Sequence, residues 1–243
     1  MGRAFEFRKA RKFKRWAAMS KTFARLNKDI IIAIREGNSS DVDTNPRLRA
    51  VLQNCRAANM PKDNVERAIK KATDKDTSDF KEVNFEGYAP HGIAVFVETA
   101  TDNNNRTVAN VRSHFNKCNG NLGTSGSVEF MFDHVCFFKI KSSGIDRDDL
   151  ELELIDFGAE EVEQDEDAFV ITGTFESYGQ LQAKLESDGR EIIESGLERV
   201  PNITKALGPE ETAEVEKLIE RLEEDDDVQN VFHTMSSSTD SED

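Results

Sequence analysis

The chain has 243 residues and carries 32 lysines and arginines against 47 aspartates and glutamates, a formal net charge of −15. This length exceeds that of a usual single domain, so we expect two or three domains. No apolar run approaches the ~20 residues that a membrane-spanning helix needs, and the basic N-terminus lacks the apolar segment of a secretory signal.

The residue types that usually carry chemistry are scattered. Cys55, Cys118 and Cys136 form no CxxC pair, and neither they nor the 4 histidines have the spacing of metal ligands. We therefore predict reduced, buried cysteines, no metal site and a cytoplasmic protein. No nucleophile with a base, no acid pair and no GxSxG segment can be nominated. The chain is predicted not to be an enzyme, with no cofactor and no small-molecule substrate.

The charge is divided unevenly along the chain. Residues 1–73 hold 18 basic side chains against 7 acidic ones, whereas the remaining 170 residues hold 14 against 40. The first part is therefore net +11 and the rest net −26. Such asymmetry indicates a polyanion as partner for the basic part.

The basic residues are densest in residues 1–16, which we call the N-terminal arm. Aromatic residues alternate there with Arg8, Lys9, Arg11, Lys12, Lys14 and Arg15. The cations suit phosphate groups, while Phe5, Phe7, Phe13 and Trp16 could either stack on unpaired bases or pack on the following helices.

Three amphipathic helices are predicted after the arm. The first covers 20–36, the second begins at Pro46 after Asn45, and the third begins at Pro61. Residues 74–81 have no apolar period and are typical of a linker. We assign residues 1–78 to the basic arm and a three-helix bundle.

The remaining chain alternates predicted strands and helices. The first group is a strand at 93–99, a helix at 103–117 and a strand at 127–132. The second group, covering residues 134–203, has the βαββαβ order of a ferredoxin-like domain. A helix from 209 and a strand at 228–233 then supply what the first group lacks.

This pattern predicts an α+β fold with the N-terminal three-helix bundle followed by two ferredoxin-like α+β domains, one inserted in the other. The outer domain comprises residues 79–133 and 204–235, and the inserted domain residues 134–203. Residues 236–243 are predicted to be a disordered acidic tail.

Three loops are chemically unusual. One joins two bundle helices and presents Asn59, Lys62, Asn64 and Arg67 around a helix N-terminus that could receive a phosphate, although a capped turn explains the segment better when it is viewed alone. The others supply a second candidate site. Its residues are Asn103, Asn104, Asn105, Arg106 and Ser125.

Five segments resemble the signature segments of the YebC family, which includes the mitochondrial translational activator of cytochrome oxidase subunit I. They are NPRLR at 45–49, AANMPKDNVERAIKK at 57–71, EGY at 86–88, TDNNNRTV at 101–108 and GNLGTSGS at 120–127. The resemblance implies a three-domain α+β protein without catalytic activity. It further implies a DNA-binding transcriptional regulator or a translation factor acting at the ribosome.

The arm departs from the family pattern, since many members open with Gly-His-Ser-Lys-Trp. The signature also begins so near Met1 that no room is left for a mitochondrial presequence, which favours a bacterial cytosolic member.

We predict a nucleic-acid-binding regulator of gene expression that contacts the phosphate backbone, and the resemblance favours a DNA-binding transcriptional regulator of the YebC type. A ribosome-associated translation factor contacting rRNA or tRNA is one alternative, and an adaptor that binds a basic protein through its acidic domains is another. The predicted contact residues are Arg8, Lys9, Arg11, Lys12, Lys14, Arg15, Trp16, Lys21, Arg25, Arg47, Arg49, Asn59, Lys62, Asn64, Arg67, Lys70 and Lys71.

Overall fold

The computed structural model describes residues 19–74 and 80–236. The N-terminal arm lies outside this part of the chain. Three helices come first: α1 is Met19–Gly37, α2 is Pro46–Ala57 and α3 is Lys62–Thr73. In the second half of α1, the five consecutive residues from Ile30 to Ile34 are all buried. Five consecutive residues cover every side of a helix, so this half of α1 is central in the bundle, and α2 and α3 both pack against α1.

Asn45 fixes the turn between α1 and α2. Its side-chain oxygen accepts the Leu48 N–H at 3.0 Å, while its amide nitrogen donates to the carbonyls of Ala33 at 2.8 Å and Ser39 at 2.9 Å. Pro46 occupies the first helical position, where no N–H is required. The predicted cap is therefore also a bridge between two helices.

The first sheet is antiparallel and has four strands: β1 at Lys81–Tyr88, β2 at Ala94–Thr101, β3 at Asn121–Leu122 and β8 at Val228–His233. Their order in the sheet is β3-β1-β2-β8. Two helices, α4 at Asn104–Lys117 and α7 at Pro209–Glu224, pack on one face through Val111, Phe115 and Leu218. The opposite face carries a smaller apolar group that includes Phe96 and Phe132.

The second sheet is formed by residues that fall, in sequence, between β3 and α7. It is formed by β4 at Phe132–Lys141, β5 at Ala159–Asp165, β6 at Ala168–Thr174 and β7 at Ile192–Pro201, with helices α5 at Arg147–Leu154 and α6 at Tyr178–Ser187. The strand order β5-β6-β4-β7 is that of a ferredoxin-like fold. The α+β fold with N-terminal helices and two sheets is thus confirmed.

The described residues form two compact units. One contains α1–α3 together with residues 134–200, and the other contains residues 80–133 and 201–236. Within the first unit, Asn54 of α2 is bonded to both backbone groups of Ser195 in edge strand β7, accepting its N–H at 3.0 Å and donating to its carbonyl at 2.7 Å. The bundle and the second sheet therefore share side-chain contacts.

Three local expectations were wrong. Residues 81–88, which had no predicted strand, form β1 and pair along their whole length with β2. Residues 127–132, predicted as a strand, contain the 3-10 helix Glu129–Met131 instead. Ser236 was placed in a disordered tail, but its N–H donates to the Lys205 carbonyl at 3.0 Å. Residues 237–243 lie outside the described residues.

Candidate nucleic-acid interface

Only some of the predicted contact residues lie in the part of the chain that the structure describes. Seven of them lie outside it: Arg8, Lys9, Arg11, Lys12, Lys14, Arg15 and Trp16. The others lie on α1, α2, α3 and the turn that joins α2 to α3.

The N-terminal half of α1 presents a basic stripe. Lys21, Arg25 and Lys28 recur at spacings of four and three, which places them on one side of the helix. All three are partly exposed, whereas Leu26 and Ile30 face the core. This half of α1 therefore has an apolar side and a cationic side.

The outer side of α3 carries a second group of cations. Arg67, Lys70 and Lys71 are exposed, while Ala68 and Ala72 are buried against α1. The two lysines lie in the last turn, where cations suit the negative end of the helix dipole. Arg67 is held within α3, since it donates to the Asp63 carbonyl at 3.1 Å and to the Asn64 side chain.

Other predicted residues are occupied by contacts within the unit. Arg49 forms a two-point ion pair with Glu186 of α6, at 2.9 and 3.2 Å, and donates to the Val42 carbonyl at 2.7 Å. Arg47 pairs with Glu36. Lys62 is 88% exposed and lies 3.5 Å from Glu66. Arg49 consequently holds α2 against α6 rather than projecting to solvent.

Asn59 has a backbone role. It follows α2 with a φ of 55°, and the next residue, Met60, donates its N–H back to the Cys55 carbonyl at 2.9 Å. Asparagine tolerates this left-handed conformation better than most residues. The left-handed turn that ends α2 therefore accounts for an asparagine at position 59.

The Asn-rich segment of the second candidate site is a cap with an ion-pair network. Asn103 accepts the Arg106 N–H at 3.2 Å, and the Arg106 guanidinium contacts Asp102 at 2.9 Å and buried Asp227 at 2.8 Å. Hydrogen bonds to Asp227 and then Asp102 raise the pKa of Arg106 above its ordinary value. Asn104 and Asn105 begin α4 and are exposed.

The Ser125 loop belongs to another place on the same sheet. The buried Glu86 carboxylate accepts N–H groups from Gly126 at 2.6 Å, Val128 at 2.7 Å and Glu129 at 2.8 Å. Glu86 pairs with Phe96, five positions before Thr101 in β2, which corresponds to roughly 17 Å along a strand. The structure therefore does not bring Ser125 and Arg106 together.

A polar cleft of about 920 Å³ opens between α4 and α7. His114 lies there with its Nε2 atom 3.0 Å from Asp225. The lining is Arg106, Asn110, His114, Lys217, Glu220, Arg221, Glu224, Asp225, Asp226 and Asp227. Ser125 is not part of this lining.

Two further features are absent from the residues that the structure describes. No cluster of three or more His, Cys, Asp or Glu side chains there has the arrangement of a metal site. No helix in the same residues is long and apolar enough to span a bilayer.

Sequence reasoning missed Glu86 and Asp227, two buried carboxylates that hold loops and helix ends against the sheet β3-β1-β2-β8. Glu86 stood within the EGY segment and could have been questioned as an acid in a buried strand. Asp227 ends an acidic run at residues 223–227 that resembles a solvated surface. Its partner Arg106 lies 121 positions away, so no local signal indicates the contact.

Comparison with known proteins gives full-length matches. A family model described as the TACO1/YebC protein N-terminal domain matches residues 3–75, and one described as the TACO1/YebC second and third domain matches residues 80–235. A "Probable transcriptional regulatory protein" of Flavobacterium johnsoniae is 66% identical over 235 residues, covering 97% of this chain and 99% of that protein.

A protein of the same name from Parabacteroides distasonis is 59% identical, with 97% of each chain covered. Among solved structures, a conserved hypothetical protein from Aquifex aeolicus is similar with a TM-score of 0.75 and 37% identity, over 90% of this chain and 91% of that one. The chain belongs to the TACO1/YebC family.

Proposed function

We propose that this protein is a nucleic-acid-binding regulator of gene expression that grips phosphate groups through its basic N-terminal part. The supporting observation is the cationic surface on α1 and α3, formed by Lys21, Arg25, Lys28, Arg67, Lys70 and Lys71. The names of the relatives from Flavobacterium johnsoniae and Parabacteroides distasonis agree with regulation of transcription. No catalytic role is proposed.

The charge distribution favours a local grip. Lysine and arginine bind phosphate and release its condensed counterions, which supplies affinity without reading sequence. Residues 74–243, with a net charge of −26, repel the same phosphates. The nucleic acid should therefore contact the bundle and the arm while the acidic sheets remain away from it.

The salt dependence of binding tests this mechanism. If about five phosphates are engaged, affinity for a DNA duplex or a structured RNA should fall about 500-fold between roughly 50 and 200 mM salt. A plot of log affinity against log salt concentration has a slope set by the number of phosphates engaged. The Lys70→Gln/Lys71→Gln variant should reduce the magnitude of this slope by about two. An unchanged slope, or binding that is insensitive to salt, would overturn the proposal.

Arg112→Gln/Lys117→Gln is the matched control. These two basic residues are exposed on α4, within the acidic part of the chain, and the double change removes the same charge. We expect its salt slope to equal that of the unaltered protein. A loss equal to that of the α3 variant would show that net charge, and not the α3 surface, governs binding.

A second candidate is a ribosome-associated translation factor that contacts rRNA or tRNA. The net positive charge of residues 1–73, set against the net negative charge of the rest, favours it, because a compact RNA fold can be approached from one side. Co-sedimentation with ribosomes, compared at equal salt with retention of a promoter duplex, distinguishes the candidates. Preference for the duplex would favour the transcriptional role.

A further inference from the structure

The outer face of α5 exposes two large apolar side chains. Leu152 is 71% exposed and Ile155, in the short 3-10 turn after the helix, is 59% exposed. They lie three positions apart and therefore on the same side. Leu150 and Leu154 on the opposite side are 1% and 0% exposed, because they pack against the second sheet. The helix thus has an apolar core side and a partly apolar outer side.

Acidic residues surround this exposed pair. Asp148 and Asp149 lie one turn before Leu152 and Asp156 lies one turn after it, and all three carboxylates are exposed. A ligand for this face must therefore bring apolar groups and positive charge together. Nucleic acid does not fit, because its phosphates would meet the three carboxylates.

The N-terminal arm has the required composition and precedes α1, which lies in the same compact unit as α5. It combines four aromatic residues with Arg8, Lys9, Arg11, Lys12, Lys14 and Arg15. Fully extended, 16 residues reach about 55 Å. A unit of this size has a radius of gyration of about 14 Å, so every part of its surface is within reach.

We propose that the outer face of α5 binds the chain's own N-terminal arm. Aromatic side chains of the arm cover Leu152 and Ile155, and its cations pair with Asp148, Asp149 and Asp156. Because arm and face are on one chain, the effective concentration is of the order of millimolar, and a weak contact suffices.

This contact has a consequence that rests on the proposed function. Arm cations that pair with the carboxylates of α5 cannot bind phosphate at the same time. Nucleic acid and the outer face of α5 therefore compete for the N-terminal arm. If the arm is bound about nine-tenths of the time, its release should tighten nucleic-acid binding about tenfold.

The arm carries its own reporter, since Trp16 is the 1 tryptophan of the chain. The experiment measures Trp16 emission and acrylamide quenching in the full-length protein without nucleic acid. Leu152→Ser/Ile155→Ser should shift the emission to longer wavelength and increase the quenching constant. Asp148→Asn/Asp149→Asn/Asp156→Asn should act in the same direction, as should high salt.

Phe130→Ser/Ile203→Ser is the matched control, because these residues are 71% and 72% exposed in the other unit. Its Trp16 signal should equal that of the unaltered chain. The proposal is overturned if Leu152→Ser/Ile155→Ser leaves Trp16 unchanged. It is also overturned if sedimentation shows a dimer that this variant dissociates, since the occupant would then be a second copy.

The nucleic-acid measurement is separate. Leu152→Ser/Ile155→Ser should bind the duplex or RNA more tightly than the unaltered chain, whereas the control should not. If no variant binds nucleic acid while Trp16 still responds, the proposed function fails and the arm contact stands. If binding is salt-dependent but Trp16 is unresponsive, the reverse holds.

Discussion

Arg106 and Asp227 are 121 positions apart in the chain, and Nη2 of the arginine lies 3.0 and 2.8 Å from the two carboxylate oxygens. The same carboxylate accepts the Thr107 hydroxyl at 2.8 Å. The Asp227 carbonyl accepts the Ala100 N–H at 2.8 Å. Asp227, the residue just before β8, is thereby fixed to the start of α4. This contact positions β8 as the last strand of the sheet β3-β1-β2-β8.

We expect Asp227→Asn to lower the free energy of unfolding by about 2 kcal/mol, because it leaves buried donors without their charged acceptor. Urea denaturation of the full chain measures this. The exposed neighbour provides the comparison, since Asp226→Asn should change stability by less than about 0.5 kcal/mol. Equal denaturation midpoints for the two variants would contradict the buried role of Asp227.

Glu86→Gln should loosen residues 123–129 and lower stability by about 2 kcal/mol, since the amide presents a donor toward three N–H groups that need an acceptor. Amide hydrogen exchange should accelerate at Gly126, Val128 and Glu129. Glu82→Gln, at an exposed position on the same strand, serves as control. Unchanged exchange at the three amides would disprove the anchoring.

Native thiol reactivity should be very low. Burial, followed by the charge of Asp29, raises the pKa of Cys55 to about 11, and all three cysteines are buried. The thiolate is the reactive form, so alkylation near pH 8 should proceed at the rate of protein opening. Labelling in urea should modify all three. Rapid labelling of Cys55 in buffer alone would contradict this expectation.

The pair of Lys184 and Asp188 predicts an acid-side dependence. Hydrogen bonding from Lys184 lowers the pKa of the Asp188 carboxyl below its ordinary value of 3.8. The pair's stabilisation is therefore fully present above that value and is lost as the pH falls through the lowered pKa. Carboxyl NMR titration should find the Asp188 midpoint below 3.8. Lys184→Gln should move it upward, and an unmoved midpoint would refute the cause.

Helix positions could be predicted because their signals are local. Asn45 caps the helix that begins at Pro46, and Leu26, Ile30 and Ile34 of α1 are buried at helical spacing. The ferredoxin-like order of the second sheet followed from strands and helices of ordinary length. In each case, the residues that decide the structure lie within one turn or one strand of each other.

The failures involve partners that are distant in sequence. Residues 127–132 have the composition of a strand, but Glu86 holds the N–H groups of Val128 and Glu129, which are then not available to a sheet. Arg49 was predicted as a surface cation, but in the structure it pairs with Glu186, 137 positions away. Charge counting identifies the basic part of the chain but not which cations are already neutralised.

The amide of Asn54 has a consequence for how copies of this protein behave toward each other. By satisfying both the N–H and the carbonyl of Ser195, it blocks the outer edge of β7 to a strand from another molecule. The opposite edge strand, β5, carries Glu160, Glu161 and Glu163 instead, whose mutual repulsion discourages stacking. The second sheet is thus protected from edge-to-edge pairing between copies by a side-chain amide at β7 and by negative charge at β5.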